Sequence, residues 1–309
     1  MIKIDLITGF LGSGKTTFIK QYAQFFIRKG QRIGILENDF GAVNVDIMLL
    51  QELQGPDCEL ETVAGACDAD CHKRRFKTKL IAMAMSGYDR VIVEPSGIFD
   101  TDEFFDTLRE DPLENWYEIG TVLTVVDSGI SRELSEQSEY ILASQAAGAG
   151  MVILSKSQLY SKQEIQDTVQ FVSKLTKEKC GIETAQKTMI KPWHEMTEKD
   201  FQALSESGYE KADFVKRYSE ENGYGSLYYM HKRLTAARVK DICAVLFTKA
   251  EQYGRVYRVK GFFMENDRWY ECNADMHHIQ INAVDSGQDI VIVIGERLKK
   301  QEIDFLFAL

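Results

Sequence analysis

One short stretch near the start of the chain restricts the possible folds more than any other: GFLGSGKT, from Gly9 to Thr16. It matches the pattern G-x-x-x-x-G-K-[ST], and it stands between a predicted strand and a predicted helix, the context in which this pattern binds phosphate. Glycines allow the backbone N–H groups to point inward without Cβ clashes, and the helix N-terminus favours an anion. A chance glycine turn explains this context poorly. The stretch therefore predicts a nucleotide-binding α/β fold.

The polar side chains of this loop have expected roles. Lys15 is predicted to reach the outer phosphates and to take part in catalysis, and the Thr16 hydroxyl is suited to Mg²⁺. The residues expected to contact the nucleotide here are Gly9, Gly12, Ser13, Gly14, Lys15, Thr16 and Thr17.

Apolar, β-branched segments alternate with helical patterns through the first half of the chain. Strands are predicted at residues 3–6, 32–37, 90–94, 121–126 and 151–154, and helices near 15–29, 70–86, 101–110, 132–144 and 161–176. Continuous apolar strands that alternate with helices indicate a parallel sheet covered on both faces. We therefore predict the α/β fold of a P-loop NTPase, with a doubly wound, mainly parallel sheet.

The pattern changes in the second half. The segment from about Thr197 to Asn222 is charged and helical in period, and a helical linker is predicted at 191–225. Strands are then predicted at 226–231, 255–264, 268–272, 279–283 and 289–294, with helices at 236–252 and from about 297. The predicted domains are a nucleotide-binding domain at 1–190, the linker, and a second, smaller α+β domain at 226–309.

Composition and charge indicate which partners and which cellular compartment to expect. The 309 residues are 44% hydrophobic and 27% charged. No apolar run approaches the roughly 20 residues of a membrane span, and MIKIDLITGF leads directly into a strand, so neither a membrane partner nor a signal peptide is expected. The net charge of −10 argues against a nucleic-acid partner. Six scattered cysteines do not make a disulfide framework, which favours the cytoplasm.

Three further segments accompany the glycine loop: LENDFGAVNVD at 36–46, VIVEPSGIFD at 91–100 and QAAGAGMVILSKSQL at 145–159. Together with GFLGSGKTT they resemble, in order and spacing, the CobW-like GTPases, relatives of the nickel-insertion GTPases that serve urease and hydrogenase. YGRVYRVKGFF at 253–263 and IVIVIGERL at 290–298 resemble the C-terminal domain of the same family. The resemblance thus extends over nearly the whole chain.

This resemblance implies switch segments around the terminal phosphate. NDFG at 38–41 is implied to order around Mg²⁺, with Asp39 as a metal-linked or water-orienting carboxylate; a simple turn is the alternative. Glu94 ends a buried strand at the sheet edge where α/β proteins bind ligands, so we expect it near Mg²⁺ or the attacking water. The Gly97 backbone is implied to lie near the γ-phosphate. The predicted catalytic residues are Lys15, Asp39 and Glu94, and the predicted Mg²⁺ ligands are Thr16, Asp39 and Glu94.

The chain departs from this family where the nucleobase is recognised. Relatives carry Asn-Lys-x-Asp, whereas residues 155–158 are Ser155, Lys156, Ser157 and Gln158. Losing hydrogen bonds to the charged Asp costs about 1.5 to 3 kcal/mol, because Gln offers one acceptor and a competing donor. Gly150 also stands where relatives usually have Asp. We expect Ser155, Lys156 and Gln158 to border the base, and both GTP and ATP remain open as substrates.

The segment GACDADCHKRR at 65–75 contains Cys67 and Cys71. In the family, a Cys-x-Cys-Cys motif in this interval binds zinc or another transition ion, but the spacing here differs. A separation of four on a helix puts both sulfur atoms on one face, and a third ligand from Cys58 or His72 would leave an open coordination position. Free thiols are the alternative, because C-x₃-C is not a standard zinc pattern. The favoured hypothesis is a transition-metal site formed by Cys58, Cys67 and Cys71.

Three functions follow from these patterns. The favoured one is a slow NTPase and metallochaperone, which couples Mg-NTP binding and hydrolysis to the binding of a transition metal and its delivery to an acceptor metalloprotein. The second is an NTP-dependent activation or assembly switch for a metallo- or corrinoid enzyme that carries no metal itself. The third is a small-molecule phosphotransferase, which would need an arginine-bearing lid that the sequence does not indicate. The metal, the acceptor and a homodimeric state remain open.

Overall fold

The computed structural model describes residues 1–39, 46–64, 69–97, 101–210 and 223–308. The chain divides into two compact units, Met1–Val215 and Lys216–Leu309. The predicted functional boundaries at residues 190 and 225 stay a prediction.

The first unit is built on a parallel sheet of seven strands. These are β1 (Ile2–Thr8), β2 (Ile33–Asp39), β3 (Cys58–Ala64), β4 (Arg90–Pro95), β5 (Tyr117–Asp127), β6 (Met151–Ser155) and β7 (Thr188–Ile190). They lie in the order β3-β2-β4-β1-β5-β6-β7, and each neighbouring pair is parallel. The predicted doubly wound α/β fold is confirmed.

Two of these strands were not predicted from the sequence. In β3 the charged residues Glu59 and Glu61 alternate with apolar ones, as is usual at a sheet edge where one face is partly solvated, and this pattern lacks the continuous apolar run of a central strand. Strand β7 has only three residues, which is too short for a periodicity.

Helices cover both faces of this sheet, and each face buries its own apolar core. In the described part of the first unit the helices are α1 (Lys15–Arg28), α2 (Asp46–Leu50), α3 (Ala69–Ala84), α4 (Thr101–Leu108), α5 (Leu113–Trp116), α6 (Glu136–Gly148), α7 (Lys162–Cys180) and α8 (Glu198–Ser205). Helices α1 and α8 contribute Phe18, Tyr22 and Phe201 to one core. Helices α3, α4, α6 and α7 supply the core on the other face.

The segment after α8 returns to the sheet near the start of β6. The N–H of Gly150 donates to the Val122 carbonyl at 2.9 Å, and the N–H of Val122 donates to the Gly208 carbonyl at 2.9 Å. A Cβ atom on Gly150 would lie 2.3 Å from the Gly208 oxygen and 2.4 Å from the Ser207 oxygen. Position 150 therefore has no room for a side chain.

The second unit is an antiparallel sheet with helices. Its described elements are β8 (Tyr224–Met230), α9 (Ala236–Thr248), α10 (Ala250–Tyr253), β9 (Arg255–Glu265), β10 (Arg268–Ala274), β11 (Ile279–Val284), β12 (Ile290–Glu296) and α11 (Lys300–Ala308). The strand order is β11-β10-β9-β12-β8. The unit has its own core, in which the rings of Tyr229 and Phe307 stack with centroids 3.7 Å apart. This confirms the predicted smaller α+β domain.

No helix in the described ranges is both long and apolar enough to cross a membrane.

Candidate functional site

The glycine loop connects β1 to α1, as predicted, and its glycines have conformations that other residues rarely adopt. Gly9, Gly12 and Gly14 have φ values of 151°, 78° and 90°. A Cβ atom on Gly9 would also lie 2.3 Å from the Val125 carbonyl oxygen, so the loop can rest against β5 only with glycine at this position. The turn closes with a hydrogen bond from the Ser13 N–H to the Phe10 carbonyl at 3.1 Å.

Lys15 and Ser13 are buried polar residues of this loop. The Lys15 Nζ donates to the Gly9 carbonyl at 3.1 Å, so the lysine folds back over the loop. The Ser13 hydroxyl has no hydrogen-bond partner among the described residues, although Ser13 is buried. Because a buried hydroxyl is normally satisfied, this donor fits a ligand oxygen such as that of a phosphate.

Thr16 links the loop to the end of β4. Its hydroxyl donates to Glu94 Oε1 at 2.9 Å, and Thr16 and Glu94 are both buried. The structure thus brings together two of the three predicted Mg²⁺ ligands. A hydroxyl and a carboxylate are oxygen donors of the kind that Mg²⁺ takes, so this pair fits the ion.

A second buried carboxylate, Glu37, lies beside Glu94. The two residues are direct partners in the register of β2 with β4, so their side chains leave the same face of the sheet. Each is only 3% exposed. Glu37 was not among the predicted site residues, although ILEND and VIVEP show the same signal, a glutamate at the carboxyl end of a buried strand.

The predicted first switch is only partly within the described residues. Asp39 is the last residue of β2, but its side chain and residues 40–45 lie outside them. Asn38 is fully buried, and neither atom of its amide has a hydrogen-bond partner in the described part of the chain. The main-chain carbonyl of Asn38 accepts a hydrogen bond from the Ser96 N–H at 2.8 Å, which joins β2 to the loop after β4.

The residues predicted to border the base follow β6 at the same edge of the sheet as the glycine loop. Lys156 has a left-handed backbone with φ 55°, and its Nζ lies 2.6 Å from Asp127 Oδ2. Ser155 is buried and its hydroxyl donates to the Val126 carbonyl at 3.3 Å, whereas Gln158 is exposed. The buried hydroxyl of Ser157 has no partner among the described residues. Asp127, the partner of Lys156, was not among the predicted site residues.

A tryptophan from the loop after β7 covers the start of α1. A Cβ atom on Gly14 would lie 2.9 Å from Cη2 of Trp193, so the indole rests against the glycine loop. The ring of Trp193 also meets Phe18 edge to face, with centroids 5.9 Å apart. Its Nε1–H is buried without an acceptor among the described residues. Trp193 was not among the predicted site residues, because the strand that precedes it was not predicted.

The cysteines of the predicted metal site do not all lie together. Cys71 is half-buried in the first turn of α3, which begins five residues after β3 ends and therefore at the carboxyl edge of the sheet. His72, its neighbour, is completely buried, and Cys67 lies in residues 65–68, outside the described ranges. Within those ranges no group of three or more metal-ligating side chains is found.

Cys58 lies at the opposite edge. It pairs with Ile33 at the start of β2, which pairs with Arg90 at the start of β4. At about 3.3 Å per residue, Cys58 is about 13 Å along the sheet from the level of Glu94. Its burial raises the pKa of the thiol to about 12, which disfavours the thiolate that binds metal. Cys58 is therefore left out of the site proposed below.

Comparison with known proteins identifies the family. A family model described as the nucleotide-binding domain of CobW/HypB/UreG matches residues 3–183. The chain belongs to the CobW/HypB/UreG family. The resemblance inferred from the sequence motifs is thereby confirmed.

The chain is similar over part of its length to several zinc chaperones. It is 28% identical over 160 residues to the zinc chaperone YeiR of Escherichia coli K12, which covers 51% of this chain and 47% of YeiR. It is 26% identical over 170 residues to the zinc chaperone YjiA of the same organism, a match that covers 53% of this chain and 52% of YjiA. The zinc-regulated GTPase metalloprotein activator 1 of Dictyostelium discoideum is 22% identical over 300 residues, a match that covers 84% of this chain and 62% of the activator. The chain thus spans about half the length of YeiR and YjiA in these matches.

Solved structures of this family are also similar to the chain. The Zn(II)-bound YjiA GTPase of E. coli covers 99% of this chain and 98% of its own, with 16% identity and a TM-score of 0.44. The match to HypB from Helicobacter pylori in complex with nickel covers 66% of this chain and 82% of the HypB chain, with 17% identity and a TM-score of 0.39.

Proposed function

We propose that this CobW/HypB/UreG protein is a nucleotide-hydrolysing metallochaperone. The observation that carries the proposal is the hydrogen bond from Thr16 of the glycine loop to Glu94 at the end of β4, with Glu37 beside it. This contact joins the expected phosphate site to a pair of buried carboxylates. Helix α3, which carries Cys71, begins at the same edge of the sheet.

The proposed hydrolytic site needs mainly positioning and charge neutralisation. Lys15 and the backbone of the glycine loop would hold the phosphates, and Ser13 would donate its hydroxyl to them. Thr16, Glu94 and Asp39 would hold Mg²⁺, which supplies neutralising charge when bound. Glu94 or Glu37 would orient the attacking water.

The identity of the base is proposed to be less restricted than in relatives with Asn-Lys-x-Asp. Gln158 lacks the carboxylate, and Lys156 is paired with Asp127 instead. We expect GTP to be preferred over ATP by less than about a hundredfold. We also expect Lys15→Ala to abolish binding of both.

The transported ion is proposed to bind through Cys67 and Cys71 and to pass to an acceptor metalloprotein. The proposed compartment is the cytoplasm, because the six cysteines of the sequence are scattered and do not make a disulfide framework. The half-buried Cys71 suits an ion that must be released.

Zinc titration of the metal-free protein, with and without a non-hydrolysable triphosphate, tests this proposal. The double variant Cys67→Ser, Cys71→Ser is expected to lose more than about tenfold in zinc affinity. Cys58→Ser is the matched control and should bind zinc like the natural chain, because Cys58 is buried at the other edge of the sheet. Triphosphate should change the zinc affinity of the natural chain and of Cys58→Ser alike.

Full zinc affinity in the double variant would contradict the chaperone proposal. A natural chain that hydrolyses nucleotide but binds no zinc would instead favour the alternative, an NTP-dependent activation switch that carries no metal itself and serves a metallo- or corrinoid enzyme.

A further inference from the structure

A glutamine on α6 holds the loop that follows β4. Gln145 is completely buried, and its side-chain Nε2 donates to the carbonyl of Gly97 at 3.2 Å. Gly97 lies two residues after the last residue of β4 and three after Glu94. A side chain from a different part of the chain therefore fixes the direction of a peptide group next to the proposed hydrolytic site.

Gly97 itself lies against the glycine loop. A Cβ atom on Gly97 would be 2.8 Å from the backbone nitrogen of Leu11 and 3.0 Å from its Cα. The loop after β4 thus touches the phosphate-binding loop on one side and is hydrogen-bonded to Gln145 on the other. Rotation of the Gly97 peptide would break that hydrogen bond and leave the buried amide of Gln145 without this acceptor.

The backbone of Gln145 is fixed by a second hydrogen bond. The Thr124 hydroxyl donates to the Gln145 carbonyl at 2.8 Å. The Thr8 hydroxyl lies 2.7 Å from the Thr124 hydroxyl and 3.3 Å from the Leu123 carbonyl oxygen. Thr8 is the last residue of β1, directly before the glycine loop. A buried chain of hydrogen bonds therefore runs from the start of the glycine loop through β5 and α6 to Gly97.

We infer that Gln145 is a positioning residue that sets the preference of the site for triphosphate over diphosphate. This inference rests on the proposed function, in which the Gly97 backbone lies near the γ-phosphate. By holding the Gly97 carbonyl, Gln145 keeps the loop after β4 against Leu11, in place to meet the terminal phosphate. A diphosphate does not extend to this loop, so its binding does not depend on Gln145.

The variant Gln145→Met tests the inference because it keeps the length of the side chain and removes the amide donor. Affinities for a non-hydrolysable GTP analogue and for GDP, both with Mg²⁺, are measured by calorimetry. The variant is expected to bind the triphosphate analogue about tenfold to a hundredfold more weakly, as expected for loss of a buried hydrogen bond, with little change for GDP. Ser144→Ala is the control, since the Ser144 hydroxyl donates to Ile141 on the same helix at 3.0 Å, and it should leave both affinities unchanged.

Equal weakening of both nucleotides, or of neither, would overturn the inference while leaving the proposed function intact. A natural chain that binds no triphosphate would overturn both. If Gln145→Met does not fold, Gln145→Leu replaces it, because leucine also lacks the amide donor and is a smaller apolar side chain for this buried position. The same selective loss for the triphosphate analogue is expected.

Discussion

Two glutamates, Glu37 and Glu94, have different contacts in spite of their equal burial. Only Glu94 accepts the Thr16 hydroxyl, whereas Glu37 occupies the neighbouring place in the sheet register. Two carboxylates this close repel each other unless a cation or a proton lies between them. The pair is therefore suited to a divalent cation, with Glu94 as the residue already connected to the glycine loop.

We expect Glu94→Gln to lower kcat for nucleotide hydrolysis by about a hundredfold or more, because a charged group aimed at the reacting centre is lost. Nucleotide affinity should fall by less than about tenfold, since the glycine loop still holds the phosphates. Glu37→Gln should have a smaller effect on kcat. Glu52→Gln, at an exposed residue paired with Lys20, is the control. Steady-state phosphate release measures all four proteins, and unchanged kcat in Glu94→Gln would contradict the proposed role.

Trp193 provides a direct reporter of nucleotide binding. The indole rests on Gly14, so a nucleotide in the loop should change its surroundings and its fluorescence. We expect Mg-nucleotide to alter the emission of the natural chain and Trp193→Phe to lose most of that change. Trp116→Phe and Trp269→Phe replace the other two tryptophans and should keep it. A response that survives in Trp193→Phe would show that Trp193 lies away from the bound nucleotide.

Helix α8 shows how a short element is stabilised at its first turn. Thr197 and Asp200 form a capping box, in which Asp200 Oδ2 accepts from the Thr197 N–H at 2.7 Å. The Nζ atom of Lys191 lies 2.6 Å from the same oxygen. The helix then buries Phe201 and Leu204 against α1, so its cap contributes to the core beneath the glycine loop.

Lys191, followed by Thr197, lowers the pKa of Asp200 from 3.8 to about 2. A lowered pKa means that the carboxylate stabilises the fold above pH 3.8 and that this contribution is lost as the pH falls toward 2. We expect Asp200→Asn to cost about 1 kcal/mol at pH 7, a usual value for a lost cap. In urea unfolding, the difference from the natural chain should shrink over that acidic range. A difference that is constant with pH would contradict this assignment.

Each of the two units has a core of its own, and the proposed nucleotide site lies entirely in the first. Phe307 and Tyr229 stack in the second unit, while Phe18, Tyr22 and Phe201 pack in the first. The units can therefore respond separately to a ligand and to core substitutions.

We expect calorimetry to resolve two unfolding transitions. Mg-nucleotide at a hundred times its Kd should stabilise the first unit by about 2.7 kcal/mol and leave the other transition in place. Phe307→Ala should lower only the second transition, at a cost of about 3 to 5 kcal/mol. A single transition that shifts with nucleotide and with Phe307→Ala alike would show that the two cores unfold together.

The sequence predicted those features that depend on local pattern. The glycine loop, the central strands and the place of Glu94 follow from motif and periodicity, and the structure has each of them. The partners Glu37, Asp127 and Gln145 could not be predicted, because they meet their neighbours through strand register or across helix α6. The position of Cys58 could not be predicted either, because β3 was not recognised and the edge of the sheet at which Cys58 lies was therefore unknown.

The crowding at Gly150 limits how this chain can change. The family resemblance puts Asp at this position in relatives, and here the carbonyls of Ser207 and Gly208 occupy the space that a side chain would need. The single substitution Gly150→Asp would displace the backbone that follows α8. An acidic side chain could be accommodated at the start of β6 only if that segment moved away from the strand.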